Sequence, residues 1–449
     1  MTVDPITKEV TKITVSNQST TTAPRIFDVV KLLHSSPILY GRGTRVWIVK
    51  DEHGAYHVLK DSWILASNVS SEIQFIQKIQ KIIQDNESDG HFFKYSCPSY
   101  LTGDECVCST DTIRHNVPEK APTRNQRRLV MPVIGDPVTS FRSKKEFVST
   151  FLDIVNVLDF LNSKARVIHG DISINNILIR RIWDHGPNDS PSQLLVQPSV
   201  PVASATPQAA NTIVDEEGTT EPIESSGMLI DCDFMRDVEQ DTHQTSGTLP
   251  FMAIKALRPT PEQMFRHHAG HDLECLMYTM LTICMYTTGP GELRKPEKVD
   301  NNKDFNFNSW FHTADRQALA SLKWLTLSVP NLFIKPFIPK YWEDFVPFLM
   351  ELIDATWEKD KNYLENPNIA THQAYRDILK RALAKYTEEE DDKLLAPYAA
   401  IPPKLPEKRP SEDNQPSQRS KRLRLNTSTT VPRNPILQSL SSVNGLADN

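Results

Sequence analysis

Glycine is scarce in this chain, 15 residues in 449, while proline reaches 32, so glycine-rich flexible linkers and repeats are excluded and proline punctuates the chain instead. Cysteine is scarce too. Six Cys are too few for a disulfide framework, and Cys97, Cys106 and Cys108, even with His91 and His115 nearby, lack the paired Cys-x-x-Cys spacing of structural zinc. There is no excess of positive charge: 50 Lys and Arg face 56 Asp and Glu, a net charge of -6, which excludes a whole-protein electrostatic grip on nucleic acid or an anionic membrane. No apolar run approaches the roughly 20 residues that span a bilayer; the longest, Leu276 to Thr287, is interrupted by Thr and Tyr. Met1 to Pro24 has no secretory apolar core, so we expect an intracellular protein with reduced thiols. G-x-x-x-x-G-K-[ST] is absent as well, which removes the P-loop NTPases.

What is present is enough apolar sequence, 39%, for a sizeable core. Arg45 to Lys50 and Tyr56 to Lys60 read as strands joined by the turn residues Asp51 to Gly54. Ile73, Ile76, Ile79 and Ile83 then recur at helical spacing and predict an amphipathic helix that packs on the resulting antiparallel sheet. Beyond Pro137 the pattern turns helical. Phe147, Phe151, Ile154, Val155, Leu158 and Leu161 form one stripe, Asp272 to Tyr286 is apolar nearly all round, and Tyr341 to Trp357 and Thr371 to Tyr386 supply further helices. Cys97 to Arg128 shows no period and reads as an irregular connection. Trp183 to Gly227 is rich in Pro, Ser, Gln and Thr and cannot bury enough area to offset its ordering entropy, so it reads as a disordered insertion.

Two segments carry chemistry. In Val167 to Ile179, VIHGDISINNILI, a polar loop between apolar strands holds Asp171 and, five residues on, Asn176; a carboxylate there can take a proton from a hydroxyl, and the amide can turn back to a metal ion. In Met228 to Phe234, MLIDCDF, Asp231 ends an apolar strand and suits a divalent cation on phosphate oxygens.

Together with KDSW, GTLPFMA and HDLECL, the phrases HGDISINNIL and LIDCDF resemble the fungal-type protein kinase family over about Gly41 to Tyr286, with the insertion looped out. The resemblance implies an α+β, two-lobed kinase fold with a small antiparallel β-rich N-terminal lobe and a larger α-helical C-terminal lobe. Without hydrophobic periodicity, 1–24 reads as a disordered segment and 401–449 as a disordered basic tail, which leaves lobes over 25–135 and 136–400, the latter with the disordered insertion 183–227. By the same resemblance Asp171 is the catalytic base, Asn176 and Asp231 hold Mg2+, Lys60 contacts the phosphates of ATP with Glu72 as its ion-pair partner, and Gly41 and Gly43 cover them. Thr248 is expected to hydrogen-bond the catalytic Asp as in Ser/Thr kinases, Asp272 to brace the catalytic loop, and His169 to be structural.

Departures from the pattern qualify this. Gly170 stands in place of an Arg that would pair with an activation-loop phosphate, Ser173 in place of a Lys that would neutralise the transferring group, and Val46 in place of the third loop glycine. Asp233 replaces the glycine of the Asp-Phe-Gly motif. Lys255 occupies the position of the Glu that anchors the substrate-binding loop. His267, His268 and His271 read as exposed loop histidines. The expected activity is ATP- and Mg2+-dependent transfer to a Ser/Thr hydroxyl of a protein. The alternatives are a pseudokinase scaffold and a small-molecule kinase of the aminoglycoside or choline type. Lys408 and Arg409, followed after a spacer by Lys421, Arg422 and Arg424, match a two-part signal for a nuclear import receptor, so nuclear or nucleocytoplasmic residence is expected.

Overall fold

In the computed structural model the described residues are 1–16, 23–36, 41–67, 71–86, 90–114, 121–132, 135–182, 224–242, 245, 247–258, 265–294, 306–357 and 368–388. The N-terminal half is one curled antiparallel sheet. Its strands are β1 (Thr2–Val3), β2 (Val10–Val15), β3 (Arg25–Ser35), β4 (Arg45–Lys50), β5 (Tyr56–Leu65), β6 (Thr102–Ser109) and β7 (Arg124–Met131), in the order β1-β2-β3-β4-β5-β7-β6.

Side-chain alternation decides what each face carries. Leu59 lies opposite Val130, and both join Ile13, Val15, Phe27, Trp47 and Val49 in a small core inside the curl. One residue on, Lys60 lies opposite Leu129 on the other face, against helix α1 (Glu72–Asp85). That helix forms as its isoleucine spacing predicts, with Ile73, Ile76, Ile79 and Ile83 buried, and Ser71 caps it by accepting from the N–H of Ile73 and Gln74 at 3.1 and 3.4 Å.

Three expectations give way here. The segment 1–24 contains β1 and β2; Ile13 and Val15 are buried, because alternation in VTKITV presents them to the curl while Lys12 and Thr14 face out. The Cys97 to Arg128 stretch includes β6 and most of β7; a register shift between Asp104 and Cys108 breaks the period by which a strand is read. Strand β5 runs on to Leu65, so Lys60 sits in its middle rather than at its end.

Short strands β8 (Asp136–Pro137) and β9 (Val167–Ile168) lead to the hairpin of β10 (Ile177–Ile182) and β11 (Glu224–Leu229). Residues 224–227 are thus strand, not insertion, and 183–223 and the expected tail lie outside the described residues. A further short strand, β12 (Arg236–Asp237), pairs back onto β9. After the small helices α2 (Gly90–Ser96) and α3 (Thr110–Ile113), the C-terminal half is helical: α4 (Lys144–Ser163), the short α5 (Ile254–Leu257) and α6 (Ala269–Tyr286), then the helices Arg316–Ser328, Val346–Thr356 and His372–Glu388. The α4 stripe Phe147, Phe151, Ile154, Val155, Leu158 and Leu161 is buried, and α6 is buried from Gly270 to Tyr286. The helix expected over Tyr341 to Trp357 is a single 3-10 turn at Lys340–Trp342 and then Val346–Thr356, with Pro347 accommodated in its first turn. Among the described residues no helix is long and apolar enough to cross a membrane. A β-rich N-terminal half thus precedes a helical C-terminal half, the arrangement that the two-lobed expectation calls for.

Candidate active site

The crevice between the halves is built from several short pieces. The loop before β4 contributes Gly41 and Gly43, whose φ values of 131° and 53° require glycine, with Arg42 between them. The carbonyl of Arg42 accepts from the N–H of Trp63 at 2.7 Å, pinning the loop to the extended end of β5.

Lys60 reaches across to α1. Its ammonium donates to both Glu72 oxygens at 3.1 Å, to Asp231 Oδ1 at 2.8 Å and to Asp233 Oδ2 at 3.0 Å. The 12-residue separation of Lys60 and Glu72 is closed because β5 continues to Leu65 and Ser71 starts α1 a few residues later. Arg127 of β7, on the same face as Lys60, donates to Glu72 Oε2 at 2.7 Å and pairs with Asp233. Arg42 closes the group by pairing with Asp233 and approaching Asp231 Oδ2 at 3.9 Å.

Burial favours the neutral forms of these groups, and their mutual attraction opposes it. Burial lowers Lys60, but Asp231, Asp233 and Glu72 outweigh it and hold the ammonium above its usual range. Asp233 resists burial in the same way: Lys60, Arg127 and Arg42 hold it well below the carboxylate range. Glu72, wholly buried and facing Asp233, is pushed up to about 7.

The loop that carries Asp171 and Asn176 lies below. Asp171 Oδ1 accepts from the N–H of Thr248 at 2.7 Å and from its hydroxyl at 2.8 Å, while Asn176 Nδ2 donates to the Asp171 carbonyl at 2.8 Å and to its Oδ2 at 3.2 Å. Burial, and then the charge of Asp231, raise the Asp171 pKa against the Thr248 hydrogen bonds. The N–H of Ile230 donates to the Asn176 carbonyl at 3.0 Å, which sets Asp231 next to the loop. Asp231 has φ 67°, a left-handed conformation costly for a residue with a Cβ. It is held there by Lys60 on its side chain and by the bond from Cys232 N–H to Glu72 Oε1 at 3.1 Å. Asp272 on α6 accepts from the N–H of His169 at 2.8 Å and of Gly170 at 3.0 Å, and the His169 ring contacts the Ile230 carbonyl at 3.1 Å.

Gly170 has φ 77°, and a Cβ there would meet the Phe234 carbonyl at 2.8 Å and the Arg236 guanidinium at 3.2 Å. The space an arginine would need at this position is filled from β12.

Glu72, Asp231 and Asp233 bring ligand atoms within 4.8 Å of one another, but two of the three are tied to Lys60 and Arg127 in a buried knot. The donor set fits a divalent cation through Asp231 and the amide oxygen of Asn176, whose nitrogen is engaged with Asp171.

One expectation is corrected and one departure from the pattern is compensated. His267 and His271 are buried, and His268 caps α6 by accepting from the N–H of Gly270 at 3.1 Å; the trio forms a helix start rather than an exposed loop. Lys255 is exposed, and the loop it belongs to is anchored without it. Glu274 of α6 accepts from the N–H of Ile254 at 2.7 Å, and Lys323 of the Arg316–Ser328 helix donates to the Met252 carbonyl at 2.6 Å. Arg42 and Arg127 were missed in the sequence. Arg127 could be found only by pairing β5 with β7 in register, and nothing in RNQRRLV marks one arginine of three.

Residues 84–284 match the family model described as fungal protein kinase. Over that stretch, somewhat less than half of its length, the chain is similar to that family. The match takes in Asp171, Asn176 and Asp231, while Gly41, Lys60 and Glu72 precede it and are joined to the site by the contacts above. Among solved structures, the Cydia pomonella granulovirus kinase PK-1 is similar, at 12% identity over 79% of this chain and 94% of that one, with a TM-score of 0.41. No curated protein matches the sequence.

Proposed function

We propose that this chain is a protein kinase of the fungal type and transfers the γ-phosphoryl group of ATP to a Ser or Thr hydroxyl of a protein. The observation that carries the reading is the convergence of Lys60, from a sheet strand, on Glu72 and on Asp231, which itself adjoins the Asp171–Asn176 loop. A magnesium ion on Asp231 and Asn176 would offset phosphate charge. The Asp171 carboxylate, oriented by Thr248 and Asn176, takes the proton as the substrate oxygen bonds to the γ-phosphorus and the bond to the β–γ bridging oxygen breaks. The Thr248 contact to Asp171 supports a Ser/Thr acceptor.

Phosphate transfer from labelled ATP, by the wild type and by Asp171→Asn, onto the chain itself and onto peptides and metabolites tests this. Peptide labelling lost in Asp171→Asn is the expected result; preferential labelling of metabolites would replace the protein substrate by a small hydroxyl compound. A scaffold without transfer is a second reading, favoured by one observation: Asp231 and Asp233 already have Lys60 and Arg42 as counter-ions. Silence from a folded wild type would support it.

Nuclear residence belongs to the same proposal. It rests on Lys408, Arg409, Lys421, Arg422 and Arg424, and cytoplasmic retention after their replacement by alanine is its check.

A further inference from the structure

We propose that Arg42 is a phosphate-binding cation, held on Asp231 and Asp233 and exchanged onto the γ-phosphate of ATP, where it supplies the positive charge that Ser173 lacks. The inference rests on the reading of the cleft as a phosphoryl-transfer site.

The charges of the cleft differ in how free they are. Among the described residues the carboxylates Glu72, Asp171, Asp231 and Asp233 lie about the cations Lys60, Arg127 and Arg42, with Glu105 in the field of Arg127. The Lys60 side chain is 7% exposed and committed to Glu72; the Arg127 side chain is 3% exposed and bonded to Glu72 and Asp233. Neither can leave without stranding a buried carboxylate. The Arg42 side chain is 37% exposed, and Glu72, the deepest of the four acids, is no partner of it. It is the cation that can be redirected.

Its placement suits that use. Glycines on both sides let the backbone turn, the Trp63 hydrogen bond fixes the Arg42 carbonyl, and the guanidinium carbon stands 5.0 Å from the Phe234 ring centroid. Burial works against its charge, and Asp231, Asp233 and Asp171 outweigh it, so the guanidinium lies in the field of both the metal-holding carboxylate and the catalytic base. The transferring phosphoryl group must occupy that same region, since Asp171 activates its attacker and Asp231 holds its counter-ion. A guanidinium offers phosphate two parallel N–H bonds, and a phosphate with its metal replaces the attraction that Arg42 gives up at Asp231 and Asp233. Ser173 is buried in the catalytic loop and brings no charge.

The test uses the full chain with Arg42→Met and Arg42→Lys and two readouts: binding of ATP and of ADP with magnesium, and turnover. The wild type should prefer ATP. Arg42→Met should weaken ATP about tenfold with little change for ADP, and lower kcat about 10²-fold, of the order lost with one charge-stabilising donor; Arg42→Lys should recover part of both. A melting curve separates these losses from misfolding. An Arg42→Met protein that is folded and keeps the ATP preference and the rate overturns the proposal, as does a wild type that binds ADP as well as ATP. A wild type that never transfers phosphate, yet loses its ATP preference in Arg42→Met, would sink the kinase reading and leave the assignment of Arg42 standing.

Discussion

As the proposed base, Asp171 meets two opposed demands: it must be ionised to take a proton, yet burial and the nearby Asp231 charge both disfavour the ionised form. The two Thr248 donors compensate only in part. A base with a raised pKa is lost as pH falls through that value, so the acid limb of the kcat/KM profile is expected above the ordinary carboxylate range of about 4. Thr248→Val removes the hydroxyl donor while keeping the backbone one, and should move that limb higher still. Equal limbs in the two proteins would remove Thr248 from the tuning of the base. At this scale the sequence was informative where a residue lies inside a contiguous phrase: Asp171, Asn176 and Asp231 come together as the spacing implied. Arg42 and Arg127 were invisible because their partners are 191 and 106 positions away, and only the fold brings a loop, a strand and Asp233 together.

The loop carrying GTLPFMA shows how an element can keep its place when its expected anchor is missing. Lys255 removes the acidic side chain that would hold the loop from within, and the helices beneath supply the charges instead. Glu274 binds the Ile254 N–H, Lys323 binds the Met252 carbonyl, and the Lys323 ammonium stands 3.7 Å from the Tyr278 ring centroid. Burial pushes Lys323 down to about 7 from 10.5, the value it would have in the unfolded chain. Between these values the unfolded chain holds more protons than the folded one, so this group makes stability rise with pH over that window. Below about 7 both states are charged and the cost of the buried ammonium is fully present. Lys323→Met should remove the slope, worth about 1.4 kcal/mol per unit of pKa difference, and speed amide exchange across 247–258. Parallel Tm–pH curves for the two proteins from pH 7 to 10 would remove Lys323 as its source. The sequence placed α4 and α6 because long, one-sided or fully apolar patterns specify buried helices, but it could not show this anchor, since Glu274 and Lys323 sit in apolar segments that look like plain core.

Over the whole molecule, the two-lobed architecture followed from the switch of hydrophobic period from two to 3.6, and the larger misreading was of the N-terminus. A Thr- and charge-rich sequence reads as unstructured when it is judged by composition, yet six residues of it form β2, which buries only Ile13 and Val15. Those two side chains complete a core of seven, and the Thr14 carbonyl accepts from Arg128 at 2.8 Å while Arg128 holds Asp61 at 3.0 Å on the inner face of the sheet. Removing residues 1–24 therefore opens the curl at one edge, exposes Phe27 and leaves a buried guanidinium short of an acceptor. Loss of two buried aliphatic side chains and one charged hydrogen bond comes to several kcal/mol, about 2–5 for the apolar part alone. The truncated protein is expected to melt well below the full chain and to lose nucleotide binding with the sheet, because Lys60 and Arg127 stand on the strands that this core supports. The milder double variant Ile13→Ala/Val15→Ala should show the same fall in Tm in smaller measure. A truncated chain with an unchanged melting curve would return the first strands to the status of an appendage and leave the β3 to β7 sheet as the folding unit.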